Sequence, residues 1–135
     1  MDFAAIRARL NTKLQGTGWN PYPFLPGSPD LPAAVVGLPE LIEYGDRMKG
    51  GRPTITIAVR LYASAADPTK AVARIDAAIS TVGPTSIWAA LRAVSVDDPW
   101  RQAVITGVSN VAAEPLDNGV AVIAADLNLT ITTNQ

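Results

Sequence analysis

One stretch constrains the fold of this chain more than any other. From Thr54 to Tyr62 it reads TITIAVRLY, with Ile55, Ile57, Val59 and Leu61 alternating with Thr54, Thr56, Ala58, Arg60 and Tyr62. A period of two with one wholly apolar side is the pattern of a strand that buries one face. A second apolar, β-rich run from Ala33 to Tyr44 precedes it. Between the two runs, Gly45-Asp46-Arg47-Met48-Lys49-Gly50-Gly51-Arg52 is too charged and too rich in glycine for a core. The pair of runs predicts a long β-hairpin with an extended basic tip.

The rest of the chain reads as cover for this hairpin or as strands added to it. Phe3, Ile6, Leu10 and Leu14 recur at helical spacing over residues 2–15, with Asp2 placed to cap the start and Gly16 to end the helix. Residues 16–32 carry Pro21, Pro23, Pro26, Pro29 and Pro32 among Trp19, Tyr22, Phe24 and Leu25. The prolines exclude a helix and discourage a central strand. The aromatic residues predict an ordered loop that covers a sheet edge or touches another subunit. Asp67-Pro68 starts a second helix, Val72, Ile75, Ile79 and Val82 give its apolar face, and Gly83-Pro84 stops it. Thr85 or Ser86 caps a shorter third helix through Arg92, with Ile87, Trp88 and Leu91 inward, and Asp97-Asp98-Pro99-Trp100 marks a turn.

Two more strands are expected, from Gln102 to Ala113 and from Gly119 to Thr132, joined through an Asn118-Gly119 turn signal. In the last of them Leu127, Leu129 and Ile131 alternate with Asn128, Thr130 and Thr132. The fold class that follows is α+β: a single domain over residues 1–135, with a mainly antiparallel or mixed sheet of about four strands. An N-terminal helix and two central helices pack on it.

The residue inventory removes most chemistry. The chain has no cysteine and no histidine. That excludes disulfides, thiolate nucleophiles and cysteine-based metal sites, along with the commonest general base near neutral pH. Ser-His-Asp and Cys-His catalysis are excluded with them. Gly50-Gly51 precedes a strand, not a helix, and no phosphate-loop pattern is present. Asp97 and Asp98 lack the spacing of a calcium loop and read as turn or cap residues. Glu40 and Glu43 fall on opposite faces of an extended strand, which argues against a shared acid–base pair. No catalytic residue, cofactor or metal is therefore expected, and the chain is not read as an enzyme.

Charged residues make up only 17% of the chain, against 48% apolar ones. So few charges favour burial of surface against other subunits. A net charge of −1 supplies no overall basic field for nucleic acid. No apolar run has the length of a membrane span and the N-terminus lacks a signal-peptide pattern, so synthesis in a cytoplasm with no membrane partner is expected. The interaction residues left are Arg47, Lys49 and Arg52. On a single copy they are a solvated hairpin end that blocks edge pairing. Around a ring they would add up to a cationic annulus able to meet an acidic surface or phosphates.

The run PAAVVGLPELIEYGDRMKGGRPTITIAVRLYAS resembles the hairpin of the tail terminator (tail completion) proteins of long, non-contractile-tailed bacteriophages, especially those of actinobacteria. The likeness continues in order through the Asp-started helix at Asp67 to Ile79, the SI-AAL segment at Ser86 to Leu91 and the strand at Ile105 to Asn110. It implies a small α+β unit that assembles into a ring, a hexamer, on the head-proximal end of the tail tube. Such a ring ends tube polymerisation, offers a docking surface to the head-completion or connector protein, and later lets DNA pass. Its place would be the neck of the virion, its partners itself, the tube protein and the connector. With that resemblance, the face of Asn128, Thr130 and Thr132 is a candidate for the ring wall, its alternative being an ordinary solvent face. Three other readings differ in what they require. The first is another neck or tail component, a head-completion protein or a tail tube subunit, of which the tube subunit would grow long tubes by itself. A small cytoplasmic ligand-binding domain would need a deep pocket of convergent polar groups. A nucleic-acid module would show affinity falling steeply with salt.

Overall fold

The computed structural model describes residues 2–24, 27, 29–43, 53–116 and 118–133. The elements run α1 (Phe3–Gly16), β1 (Asn20–Tyr22), β2 (Ala33–Glu43), β3 (Thr54–Ser64), α2 (Pro68–Ile79), α3 (Ile87–Arg92), β4 (Trp100–Pro115) and β5 (Ala121–Thr133). The five strands form one sheet in the order β1-β2-β3-β5-β4. Every pairing is antiparallel except that of β1 with β2. The α+β reading holds, with one strand more than the four expected.

Strand β3 is the middle of the sheet. It pairs with β5 without a register shift from Thr54↔Thr132 to Ser64↔Val122. Its alternation is realised as read: Ile55, Ile57, Val59 and Leu61 are buried opposite Ile131, Leu129, Leu127 and Ala125. Ile6, Leu10 and Leu14 of α1, Ala71, Ile75 and Ala78 of α2, and Ile87 and Leu91 of α3 join the same core, together with Trp100. Each large aliphatic side chain buried this way contributes about 1.5–3 kcal/mol. All three helices therefore cover one face of the sheet. On the other, Ala33, Tyr62, Leu116, Val122 and Ala124 form a small second core at one end, with Tyr22, Leu31 and Val35 packed on it, and the rest of that face carries no helix.

The helix starts were legible and their faces less so. Asp2, Asp67 and Ser86 each accept a hydrogen bond from the backbone N–H three residues on, as N-caps. Helix α1 includes Gly16 and is capped by Thr17, and Gly18 takes the left-handed conformation that follows, at φ 91°. Helix α2 ends at Ile79 with Ser80 as its C-cap, short of the Gly83-Pro84 stop that was expected, so Val82 lies beyond it and is 73% exposed. On the helix itself Val72 does not face inward and is 47% exposed. Alanines at 71 and 78 flank Ile75 against the sheet instead, because a small side chain lets the helix axis come close to a flat surface of β-branched residues. On α3, Trp88 is only half-buried, with the Arg92 guanidinium 5.7 Å from its ring centroid.

The proline-rich segment supplies the unforeseen strand. Residues Asn20 to Tyr22 lie parallel to Ala33 to Val35, and Asn20 N–H donates to Pro32 O at 2.9 Å. Proline is tolerated there because β1 is an edge strand and needs no donor outward. From Gly37 to Glu43 the outer edge of β2 has no strand partner among the described residues. Bulges on either side of Pro39 break the period of two and leave Leu38 and Leu41 73% and 51% exposed. The parity that set Glu40 and Glu43 on opposite faces therefore does not apply, and both are exposed.

Candidate functional site

The free face of the sheet is built from the residues that alternate with the core. Thr54 and Thr56 on β3 stand beside Thr132 and Thr130 on β5, which in turn stand beside Gln102 and Val104 on β4. Ala58 lies beside Asn128, whose Nδ2 donates to Ser109 Oγ at 3.1 Å. Asn128, Thr130 and Thr132 are thus on one face, half-buried and without charge. Alternation alone identified this strip, since its partners on β3 carry the same period.

Farther along the same face the surface becomes ionic. Arg60 Nη1 donates to Asp126 Oδ1 at 2.8 Å and Nη2 to Glu114 Oε1 at 3.1 Å. Asn110, in the left-handed region at φ 53° where β4 bulges, donates to the other Asp126 oxygen at 2.7 Å. The guanidinium also lies 5.5 Å from the Tyr62 ring centroid. Burial opposes the charge on Arg60, but the bonds to Asp126 and Glu114 outweigh it and raise its pKa further. Burial raises the Tyr62 hydroxyl as well, against the opposing pull of Arg60. A permanently charged and fully engaged guanidinium cannot shuttle protons. Chemically this network can hold three strands in register and little else.

The second ionic cluster sits on the helix side. Asp98, read as a turn or cap residue, is buried and joins α1 to the turn before β4. Its carboxylate accepts from Arg9 Nε at 2.5 Å and from Ser95 N–H at 2.9 Å, and lies 3.1 Å from Lys13 Nζ. Lys13 Nζ donates to Ala90 O and Ala93 O at the end of α3 as well. The available signal was the spacing of Arg9 and Lys13, four apart on one flank of α1. Asp97 beside it is exposed.

The basic tip at Arg47, Lys49 and Arg52 lies outside the described residues. The hairpin that carries it is described up to the pair Glu43↔Thr54. Among the described residues no group of three or more acidic side chains could hold a metal ion, and no helix is long and apolar enough to cross a membrane.

Two adjoining open grooves of about 240 and 420 Å³ follow one flank of α2. They share Pro32, Lys70 and Arg74. Ser64 and Asp67 also line the first, and Thr17 and Thr85 the second. Comparison of the chain with protein-family models and with curated proteins found no match.

Proposed function

We propose that this chain is a tail terminator: a structural virion protein that closes into a ring, a hexamer, on the head-proximal end of a phage tail tube. The observation that carries the reading is the segregation of the fold. Three helices occupy one face of the sheet, and the strip of Thr54, Thr56, Asn128, Thr130 and Thr132 on the other is polar and uncharged. A lumen walled by hydroxyl and amide groups suits the passage of DNA, because binding to phosphates grows with each fixed cation that displaces counterions. Such a wall wets the channel without gripping what moves through it.

The two sides of the sheet also differ. One ends on the short β1 and the bulged outer edge of β2, the other on the long β4. Unlike edges suit head-to-tail contacts, which close into rings when the rotation between neighbours allows. Exposed Leu38, Leu41, Val108 and Val111 supply apolar surface for such contacts. The ring stops growth by occupying the tube end with a surface that accepts no further tube subunit, and its opposite side receives the connector. Arg47, Lys49 and Arg52 at the hairpin tip contact the tube or the lumen.

Negative-stain electron microscopy of the concentrated protein, with and without magnesium, tests this assembly. The expected particles are rings with a central hole wide enough for duplex DNA. Long tubes formed by the protein alone would assign it to the tube wall instead.

A further inference from the structure

The described part of the first hairpin ends in a surface that the other described residues leave unpartnered. Leu38 and Leu41 are mostly exposed, and Glu40 and Glu43 stand exposed beside them on a strand edge with no strand neighbour among the described residues. None of the four is part of either core cluster. The result is an arm that presents leucine and carboxylate side by side.

The groove along α2 is its chemical complement. Its walls are Leu31, Pro32, Ala63 and Ala66, with Lys70 and Arg74 one helical turn apart above them. Both cations are exposed, and among the described residues neither forms an ion pair. Asp67 is the one acid in the lining, and its side chain is engaged as the cap of α2, accepting from Lys70 N–H at 3.2 Å.

A single copy cannot join the two surfaces. Glu43 pairs with Thr54 at the start of β3, whereas Ser64 at the far end of β3 lines the groove. Ten residues of extended strand separate them, about 33 Å at ~3.3 Å per residue. The Glu43 end of the arm and the groove therefore lie at opposite ends of β3, while Leu38, between the pairs Val36↔Val59 and Pro39↔Ile57, is about 20 Å from Ser64 at ~3.3 Å per residue. A separation of this kind suits the two halves of a head-to-tail contact.

The geometry points to a second copy of this chain as the occupant of the groove. The Leu38–Glu43 arm of one molecule lies along α2 of the next, with Glu40 and Glu43 facing Lys70 and Arg74 and the leucines on the Pro32 and alanine wall. The contact stands on charge complementarity and span, and it rests on the ring reading only for the closure of successive contacts.

The test is a paired charge reversal followed by sedimentation velocity over a concentration series. The variants Lys70→Glu/Arg74→Glu and Glu40→Lys/Glu43→Lys alter exposed side chains only, and their circular dichroism should match the parent. Each alone should raise the concentration for half-assembly by about tenfold or more, as like charges now face each other. A 1:1 mixture should assemble nearly as the parent does, because every arm then meets a groove of opposite charge. Assembly indifferent to all four changes, a mixture that stays dissociated, or a parent that is monomeric up to millimolar concentration would overturn the contact. Rings that persist in both variants would remove this contact and leave the ring reading standing. Rescue in the mixture without any effect on tail tubes would keep the contact and remove the tail role.

Discussion

Replacing Asp98 by alanine is expected to destabilise the domain by about 3–5 kcal/mol, the usual cost of removing one partner from a buried ion pair. That is a large share of the roughly 5–15 kcal/mol that holds a domain together. The loss has three parts. The Asp98 side chain is fully buried while Arg9 and Lys13 are 31% and 11% exposed, so Lys13 is left as a nearly buried cation. Ser95 N–H loses its acceptor, and α1 loses its tie to the turn before β4. Urea denaturation of Asp98→Ala against the parent measures the sum. A loss below about 1 kcal/mol would place the cluster among surface pairs that contribute little.

The same residue sets a pH dependence. Burial pushes the Asp98 carboxyl up, but the hydrogen bonds from Arg9, Ser95 N–H and Lys13 together hold it below its ordinary value of 3.8. A depressed folded pKa means that the unfolded chain binds the proton first as pH falls. The stabilisation is therefore complete above the unfolded value and is lost as pH drops below about 4 through the folded one. The parent should lose stability over that window more steeply than Asp98→Ala does. Parallel curves would contradict the assignment.

Trp100→Ala is expected to cost about 3–5 kcal/mol, as truncation of a wholly buried aromatic residue does. Trp100 is 0% exposed and belongs to the main core, where it closes the sheet end beneath α1. Its indole Nε1 is buried without a hydrogen-bond partner among the described residues. An unpaired donor of that kind carries about 1–3 kcal/mol of desolvation. Trp100→Phe removes the donor while keeping a ring in place, so it should cost less than half as much as Trp100→Ala. Lys13 Nζ lies 5.8 Å from the Trp100 ring centroid and also serves Asp98. The Asp98→Ala/Trp100→Ala double variant should therefore depart from additivity by about 0.5–3 kcal/mol. Equal losses for alanine and phenylalanine would contradict this view of the indole.

What could be read from the sequence was whatever repeats. The alternation of β3 and β5 put Ile55, Ile57, Leu127 and Leu129 in the core, and the same alternation marked the free face. Caps at Asp2, Asp67 and Ser86 were legible because capping is local chemistry. Contacts between distant segments were not. Asp98 looks like any acid before a proline until α1 brings Arg9 and Lys13 to it across some 90 residues. Arg60, Asp126 and Glu114 meet only because β3, β5 and β4 are neighbours in that order. Val72 misled for a related reason: helical spacing gives an apolar stripe, but the closeness of the sheet decides which part of it is occupied by alanine. The three-residue β1 carries a proline at its centre and has no periodicity to detect.

A ring that ends tube growth has a direct test. Tail tubes are grown from purified tube protein, the chain is added during elongation, and tube lengths are followed by electron microscopy. Elongation should stop, with one ring at the growing end of each tube and none along the wall. The variant with Arg47, Lys49 and Arg52 all changed to serine should fail to arrest growth. Tubes that elongate at an unchanged rate, or that take up the chain along their length, would contradict the terminator account; normal arrest by the serine variant would remove the tip from it.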